Sequence, residues 1–178
     1  MSVTLPFLLS PDDADKRMDE LVAILMDCIA GGASIGFMAG QTDAESRAFW
    51  RDCIADARAG RREIHGVTGG GDRDGALVGT VQLITAMPPN QPHRAEISKM
   101  LVHRRARRQG LGEKLLAFAE NRAREYQKTL LVLDTLTGTP AYRMYQKAGW
   151  HIVGEIPDYA ALPDGPLRPT TIFYKNLV

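Results

Sequence analysis

The stretch Arg107-Arg108-Gln109-Gly110-Leu111-Gly112 decides the fold, because it joins a strand-like segment to a helix-like one. The strand-like segment covers residues 95–102, and the helix-like segment covers residues 113–126. Two glycines at such a turn allow backbone N–H groups to approach an anion, and the helix N-terminus adds a partial positive charge. The stretch therefore predicts a binding site for a pyrophosphate group.

The spacing of the glycines separates this loop from two other phosphate-binding loops. The P-loop pattern G-x-x-x-x-G-K-[ST] is absent, and the dinucleotide pattern G-x-G-x-x-G fails because Leu115 stands in place of its third glycine. The pattern that remains is [QR]-x-x-G-x-[GA], formed by Arg107, Gly110 and Gly112. It resembles the acetyl-CoA loop of the GCN5-related N-acetyltransferase (GNAT) superfamily.

Composition narrows the classes of function. The chain has 178 residues, of which 44% are apolar and 24% are charged, and this predicts one globular domain over residues 1–178. Because 22 basic residues nearly balance 21 acidic ones, a nucleic-acid-binding protein is disfavoured. The basic run at residues 103–108 is typical of a solvated loop when considered alone, but beside Gly110 it fits a phosphate clamp better.

Signals for secretion and membrane insertion are not evident in the sequence. No basic segment precedes the apolar residues 5–9, and no apolar run reaches the length of a membrane span. We therefore expect a cytoplasmic enzyme. Cys28 and Cys53 lie on the apolar stripes of predicted helices, which indicates buried, reduced thiols rather than a disulfide.

Hydrophobic periodicity and turn residues predict the order β-α-α-β-β-β-α-β-α-β-β. The predicted strands are residues 3–9, 62–68, 76–85, 94–103, 129–134, 150–155 and 170–177. The predicted helices run from a cap at Asp12 or Asp13 to Gly31-Gly32, from Thr42 or Asp43 to Gly60, onward from Gly112, and over residues 140–147. Glycine-rich residues 69–75 predict a hairpin turn, and the apolar run at 129–134 predicts a strand buried on both faces. An α/β sandwich around one mixed sheet fits this order.

A second motif, Ala141-Tyr142-Arg143-Met144-Tyr145-Gln146-Lys147-Ala148-Gly149-Trp150, follows the apolar run. It resembles the A-x-x-x-Y-x-K-x-G-[FW] segment of the GNAT superfamily, with Tyr145 at the family's tyrosine. Further segments resemble the tabtoxin-resistance acetyltransferase family, namely residues 31–38, 94–96, 133–135, 153–159 and 163–170. Gly138 departs from the asparagine that is common in the superfamily but agrees with the tabtoxin-resistance pattern.

The resemblance implies a GNAT-type α/β/α sandwich around one mixed, mostly antiparallel twisted sheet. It also implies that acetyl-CoA is the cosubstrate and that the acceptor is an amine of a small molecule, such as a β-lactam amino-acid toxin. Backbone N–H groups of residues 108–112 would hold the pyrophosphate, and an N–H near residues 100–102, where the family's strand bulges, would stabilise the oxyanion. The side chains of Arg107 and Arg108 would lie near the phosphates. The residues expected to contact acetyl-CoA are Met100, Leu101, Val102, Arg107, Arg108, Gln109, Gly110, Leu111, Gly112 and Tyr145.

Acetyl transfer needs a base for the amine, and a proton donor can assist the leaving thiolate. Tyr145 is the candidate donor, and the alternative is a packing tyrosine whose hydroxyl bonds a backbone carbonyl. Glu96 and Asp134 are the candidate bases, because they match acidic residues of the tabtoxin-resistance active site. Either could instead bind the substrate ammonium. Two structural roles are also open: an ion pair of Glu96 with Arg94 or Lys99, and a cap of the following helix by Asp134.

The loop at residues 32–38 and the segment 157–170 are expected to wall the acceptor pocket. Phe37 and Tyr159 are the expected substrate contacts beside Glu96 and Asp134, with lid packing as the alternative role of both rings. The histidines lack ligand spacing, so we expect no metal site. The expected partners are acetyl-CoA and a small amine, without nucleic acid or membrane; a homodimer is considered, and the oligomeric state stays open. The alternative functions are a protein or peptide N-acetyltransferase and a non-catalytic acyl-CoA-binding module.

Overall fold

The computed structural model describes residues 5–70 and 73–177, and this part of the chain forms seven strands and five helices. The strands are β1 (Phe7–Leu9), β2 (Arg62–Thr68), β3 (Leu77–Ile84), β4 (Arg94–Val102), β5 (Leu130–Leu136), β6 (His151–Ala161) and β7 (Leu167–Asn176). The helices are α1 (Pro11–Lys16), α2 (Met18–Ala30), α3 (Asp43–Arg58), α4 (Leu111–Glu125) and α5 (Pro140–Lys147). A short 3-10 turn, Arg104–Ala106, follows β4.

The seven strands form one sheet in the order β1-β2-β3-β4-β5-β7-β6. Neighbouring strands are antiparallel except β4 and β5, which run parallel. The predicted mixed, mostly antiparallel sheet is therefore confirmed. Within β5, Leu131 and Leu133 are buried, but Val132 is half-buried and Asp134 is exposed. Because alternate residues of a strand share a face, the prediction that this strand is buried on both faces is wrong for one of them.

Each face of the sheet has its own hydrophobic core. One core is formed by α1, α2 and α3 and includes Leu25, Trp50 and Ile64. The other is formed by α4 and α5 and includes Leu115 and Phe173. Helices thus cover both faces, which confirms the α/β/α sandwich. Among the described helices, none combines the length and the apolar character needed to cross a membrane.

The first predicted helix is wrong in one respect, since it is two helices that meet at Arg17. Ser10, rather than Asp12 or Asp13, is the N-cap of α1, and its hydroxyl accepts a hydrogen bond from the Asp13 N–H at 3.1 Å. Arg17 departs from helical geometry (φ −102°, ψ 20°), and its guanidinium donates to the backbone carbonyl of Arg73 at 3.0 Å. Apolar periodicity does not reveal this break, because it reports side-chain burial and not the backbone caps.

Most other boundaries agree with the sequence predictions to within a few residues. Thr42 opens α3 with a capping box: its hydroxyl accepts from the Glu45 N–H, and the Glu45 carboxylate accepts from the Thr42 N–H. The bounds of β2 and α5 are those predicted. The last two strands are longer than predicted and form a hairpin around residues 162–166. Cys28 and Cys53 are buried free thiols, as predicted.

Two sequence predictions fall partly outside the described residues. The first predicted strand began at residue 3, but residues 3–4 lie outside the described part, and the observed strand is Phe7–Leu9. The glycine-rich turn between β2 and β3 includes residues 71–72, which also lie outside it. On either side of that turn, β2 and β3 pair as an antiparallel hairpin, as predicted.

Candidate functional site

The two parallel strands part after a short paired segment, and we call the gap between their carboxyl ends the cleft. The β4–β5 register pairs Arg94 with Leu130 and Glu96 with Val132, and it ends there, although β4 continues to Val102 and β5 to Leu136. Ligands of open α/β sheets bind beyond the carboxyl ends of such strands. Glu96 is the last residue of β4 in this pairing, and Asp134 lies two residues beyond Val132. Both carboxylates therefore belong to the same face of the sheet at the start of the cleft.

A β-bulge bends β4 away from β5. Thr80 of β3 pairs with Leu101 and Gln82 pairs with Ser98, so Lys99 and Met100 together stand opposite one residue of β3. Lys99 takes a left-handed backbone conformation, with φ 47°. The bulge was expected near residues 100–102, and the structure places it at Lys99 and Met100. Within the remainder of the expected segment, the side chain of Leu101 is buried and that of Val102 is half-buried.

The glycine loop presents the open end of α4. Arg108 and Gly110 have left-handed backbone conformations, with φ 62° and 72°. Gly110 is the N-cap of α4 and supplies no side-chain acceptor, so the first-turn N–H groups, from Leu111 onward, remain available to an anion. Gln109 is exposed beside them. The predicted pyrophosphate loop thus has the backbone geometry that its function requires.

The two arginines predicted to lie near the phosphates differ in their contacts. Arg107 Nε donates to the backbone carbonyl of Val102 at 2.9 Å, so this side chain fastens the loop to the end of β4. Arg108 is exposed. The loop is held from its other side by Asp27 of α2, which accepts from the Arg104 N–H at 2.8 Å and from Arg104 Nε at 2.9 Å.

Gly112 lets two helices pack closely, a role that was not predicted from the sequence. A Cβ atom at this position would lie 3.0 Å from Sδ of Met144 on α5. The small residue therefore lets the first turn of α4 approach α5 closely. Tyr145 is the next residue on α5, so this contact brings the glycine loop and the tyrosine into one region.

Tyr145 is buried, with 4% of its surface exposed, and its ring lies 5.9 Å from the ring of Trp150 and 6.0 Å from that of Phe173. Within the described part of the chain, its hydroxyl has no hydrogen-bond partner. The carbonyl hydrogen bond of the alternative role is therefore absent from the described chain, although the ring packs as that role requires. Burial raises the pKa of Tyr145 well above its ordinary value, and the nearby negative charge of Asp134 raises it further.

The structural roles considered for the two carboxylates have different outcomes. Asp134 is exposed and does not cap α5, because the N-cap is Thr139, whose hydroxyl accepts from the backbone N–H of Tyr142 at 3.2 Å. Glu96 is 3.8 Å from the Arg94 guanidinium, at the outer limit of an ion pair between side chains that are 39% and 24% exposed. Such a pair contributes little to stability, so Glu96 stays available for chemistry.

The loop that was expected to wall the acceptor pocket lies between α2 and α3. Phe37, in this loop, packs edge-on against Phe49 of α3, with ring centroids 5.1 Å apart. The turn between β6 and β7 meets the same loop, since the Ala39 N–H donates to the Pro163 carbonyl at 2.6 Å. Tyr159 is 52% exposed, and its ring stacks on no other ring in the described chain. The structure thus places Phe37, but not Tyr159, in contact with the site's surroundings.

Lys99 was considered from the sequence only as an ion-pair partner of Glu96, but in the structure it contacts the loop between α2 and α3. Its Nζ donates to the backbone carbonyl of Ile35 at 2.9 Å and lies 5.5 Å from the centroid of the Phe37 ring. Burial lowers the pKa of Lys99, while the charge of Asp134 acts in the opposite direction. The sequence contains no signal for this role, because a lysine on a strand is ordinarily solvated.

The model of the acetyltransferase (GNAT) family matches residues 19–150 of this chain. The chain belongs to that family. GNAT proteins use acetyl-CoA, and the left-handed Gly110, the uncapped end of α4 and the parted strands fit such a cosubstrate. The superfamily assignment made from the loop and from the tyrosine motif is therefore confirmed.

Solved structures of other acetyltransferases share this fold over nearly the whole chain. An N-acetyltransferase from Staphylococcus aureus Mu50 superposes with a TM-score of 0.78 at 19% identity, covering 99% of this chain and 100% of that one. A ribosomal-protein-alanine N-acetyltransferase from Brucella melitensis gives 0.75 at 20% identity, covering 97% and 99%. The yncA protein from Salmonella typhimurium, solved with its cofactor acetyl-CoA, gives 0.75 at 17% identity, covering 99% and 95%. At these identities, the likeness shows the GNAT fold.

Proposed function

We propose that this GNAT protein transfers the acetyl group of acetyl-CoA to an amine of a small molecule by direct attack. The observation that carries the proposal is Tyr145, a buried side chain whose hydroxyl has no hydrogen-bond partner in the described chain and on which the charge of Asp134 acts. The hydroxyl oxygen itself is accessible, so it can meet a bound cosubstrate, and a role in chemistry accounts for its unpaired state better than packing does.

The reaction begins with loss of a proton from the acceptor ammonium to Glu96 or Asp134. The neutral amine then attacks the thioester carbonyl carbon, and a C–N bond forms. The resulting oxyanion accepts a hydrogen bond from the backbone at the bulge of Lys99 and Met100. Collapse of the tetrahedral intermediate breaks the C–S bond, and the leaving sulfur takes the proton of Tyr145. The attacking nitrogen loses its second proton during the collapse, and that proton, carried by water, restores the tyrosine hydroxyl. The carboxylate releases the first proton to solvent, so one turnover gives the amide, the free thiol and one proton.

Proton transfer from Tyr145 is uphill when considered alone. The reference pKa values of about 10 for tyrosine and about 8.5 for a thiol correspond to roughly 2 kcal/mol. Burial of Tyr145 raises its pKa and increases this difference. The transfer therefore takes place together with C–S cleavage, where a developing thiolate in the same buried site is also more basic than in water. Tyr145 thus assists a leaving group that could depart slowly without it.

The acceptor side supports a small molecule rather than an extended peptide. The hydrogen bond between the Ala39 N–H and the Pro163 carbonyl joins the α2–α3 loop to the β6–β7 turn, so the acceptor side is bridged and is not an open groove. The resemblance to the tabtoxin-resistance family makes β-lactam amino acids the first acceptors to test. Glu96 and Asp134 suit an ammonium group, because both carboxylates lie at the start of the cleft.

The test is the release of free CoA from acetyl-CoA, measured with a thiol reagent over a panel of amines, β-lactam amino acids and short peptides. Glu96→Gln and Asp134→Asn are compared with Asp52→Asn, a matched control on the exposed side of α3. We expect the variant that lacks the base to lose about 10²-fold in turnover and the control to keep wild-type activity. Binding of acetyl-CoA without release for any acceptor would contradict transfer, and release with peptides alone would contradict a small-molecule acceptor.

A further inference from the structure

We propose that Lys99 is a positioning residue that holds the acceptor loop, residues 33–38, against the bulge of β4. The proposal rests on the proposed function, because it assigns a residue to the acceptor side of the same site. Its central observation is a contact between parts of the chain 64 residues apart, the hydrogen bond from Lys99 Nζ to the Ile35 carbonyl at 2.9 Å.

The acceptor loop and α3 together surround the Lys99 ammonium. Besides the Ile35 carbonyl, Nζ lies 5.5 Å from the centroid of the Phe37 ring and 5.8 Å from that of Phe49. These distances are within the range of a cation–π interaction. A Cβ atom on Gly36 would lie 3.4 Å from Nζ, so the backbone of the loop also passes close to the ammonium. Three successive loop residues thus contact or approach one side-chain group.

In the described chain, no carboxylate close to the Lys99 ammonium explains the position of this side chain. Within the described residues, no carboxylate lies within 4.0 Å of Nζ; Asp134 and Glu96 act on it from farther away, and Arg62 opposes them. A partly buried ammonium is costly unless it is paired or bound by dipoles. Here the Ile35 carbonyl and the two aromatic faces supply that stabilisation, so the ammonium is stabilised mainly by the acceptor loop and by Phe49 of α3.

The backbone at Lys99 also favours this role over ordinary strand packing. A left-handed conformation, here φ 47°, is unusual for a lysine, and glycine or asparagine would adopt it more readily. The residue is nevertheless a long cation whose tip reaches the acceptor loop. Because Met100 shares the same bulge, Lys99 fixes the distance between the acceptor wall and the backbone that would meet the oxyanion.

Hydrogen–deuterium exchange of the acceptor loop tests the proposal without any acceptor. The Ala39 and Gln41 amides are hydrogen-bonded next to the loop and can therefore report its loosening. Lys99→Met keeps the length of the side chain without its charge, Lys99→Gly removes the side chain and relieves the backbone, and Lys99→Arg retains a cation. We expect exchange at these amides to be about tenfold faster in the Met and Gly variants and close to wild type in the Arg variant.

Two further readouts separate positioning from folding. Acetyl-CoA affinity, measured by calorimetry, should change less than the KM for the acceptor, because the pyrophosphate loop at Gly110 is not altered. With an acceptor identified, the KM for that acceptor should rise about tenfold in the Met variant, a larger change than that in kcat. Unchanged exchange at the Ala39 and Gln41 amides in the Met and Gly variants would overturn the proposal. It would also be overturned if amides throughout the sheet exchanged faster in these variants by the same factor as Ala39 and Gln41. Neither result depends on whether the protein transfers acetyl groups.

Discussion

Replacing Tyr145 by phenylalanine should separate activity from stability. The substitution removes one oxygen from a side chain that is 4% exposed and leaves its ring contacts with Trp150 and Phe173 in place. We expect turnover to fall about 10²-fold, the low end of the range for a general acid, because a thiolate can leave without a proton. The free energy of unfolding should stay near that of the wild-type protein.

The magnitudes follow from what the hydroxyl contacts. A 10²-fold loss of rate corresponds to about 2.7 kcal/mol of transition-state stabilisation. A buried hydroxyl with a partner would contribute about 1 kcal/mol to stability through its hydrogen bond. Tyr145 has no such partner in the described chain, so its removal costs no hydrogen bond and leaves no group unpaired.

The assay combines steady-state CoA release at saturating acetyl-CoA and acceptor with urea unfolding of the same samples. Tyr142→Phe is the matched control, since Tyr142 lies on the same helix and packs edge-on against Phe173 at 5.4 Å. Its turnover should equal that of the wild-type protein. Because burial raises the pKa of Tyr145, its hydroxyl stays protonated through neutral and mildly alkaline pH, so it should produce no descending limb there in the wild-type rate profile. Wild-type turnover in Tyr145→Phe, or an equal loss in Tyr142→Phe, would refute the reasoning.

Three further outcomes are expected from the structure. Gly110 and Gly60 have similar left-handed backbones, with φ 72° and 71°, and open space around both, so Gly110→Ala and Gly60→Ala should each cost about 1–2 kcal/mol of stability. Calorimetry should show weaker acetyl-CoA binding for Gly110→Ala alone, and equal affinities of the two variants would contradict the loop assignment. Although burial opposes it, hydrogen bonding by Arg122 lowers the pKa of Glu63 from 4.5 to about 2, so this carboxylate stabilises the fold above pH 4.5 and its contribution is lost as the pH falls towards 2. In urea titrations, Glu63→Gln should reduce the loss of unfolding free energy over this pH range, and an unchanged loss would contradict the contribution of the Glu63–Arg122 pair. Thr42→Ala removes one half of the α3 capping box and should lower the free energy of unfolding by about 1 kcal/mol without changing turnover; a stability equal to wild type would show that the cap contributes nothing.

The parts of the fold that the sequence predicted well are those set by local chemistry. The glycine loop, the helix start at Thr42 and the helix beginning at Pro140 each depend on a few neighbouring residues with a fixed backbone preference. The buried helices and strands were found from their apolar pattern, because the residues that face the core recur with the helical or strand period. The tyrosine motif placed Tyr145 on α5 because the start of this helix is also set by neighbouring residues, Thr139 and Pro140.

The parts that the sequence did not predict depend on contacts between distant residues. The break at Arg17 is stabilised by a carbonyl 56 residues away, and the bulge at Lys99 depends on the register with β3. Arg107 Nε donates to the Val102 carbonyl, a contact that no motif encodes, and its expected place near a phosphate stays a prediction. The unpartnered hydroxyl of Tyr145 is likewise a property of its surroundings in three dimensions and not of its helix.

The most direct test of the central claim is a mass-spectrometric search for the acetylated amine in the same reactions in which CoA release is measured. The account predicts one acetyl amide for each CoA released, with both falling about 10²-fold together in Tyr145→Phe. Release of CoA without an acetylated amine would mean thioester hydrolysis and would contradict transfer to an acceptor. Bound acetyl-CoA that stays intact with every amine in the panel would contradict catalysis itself.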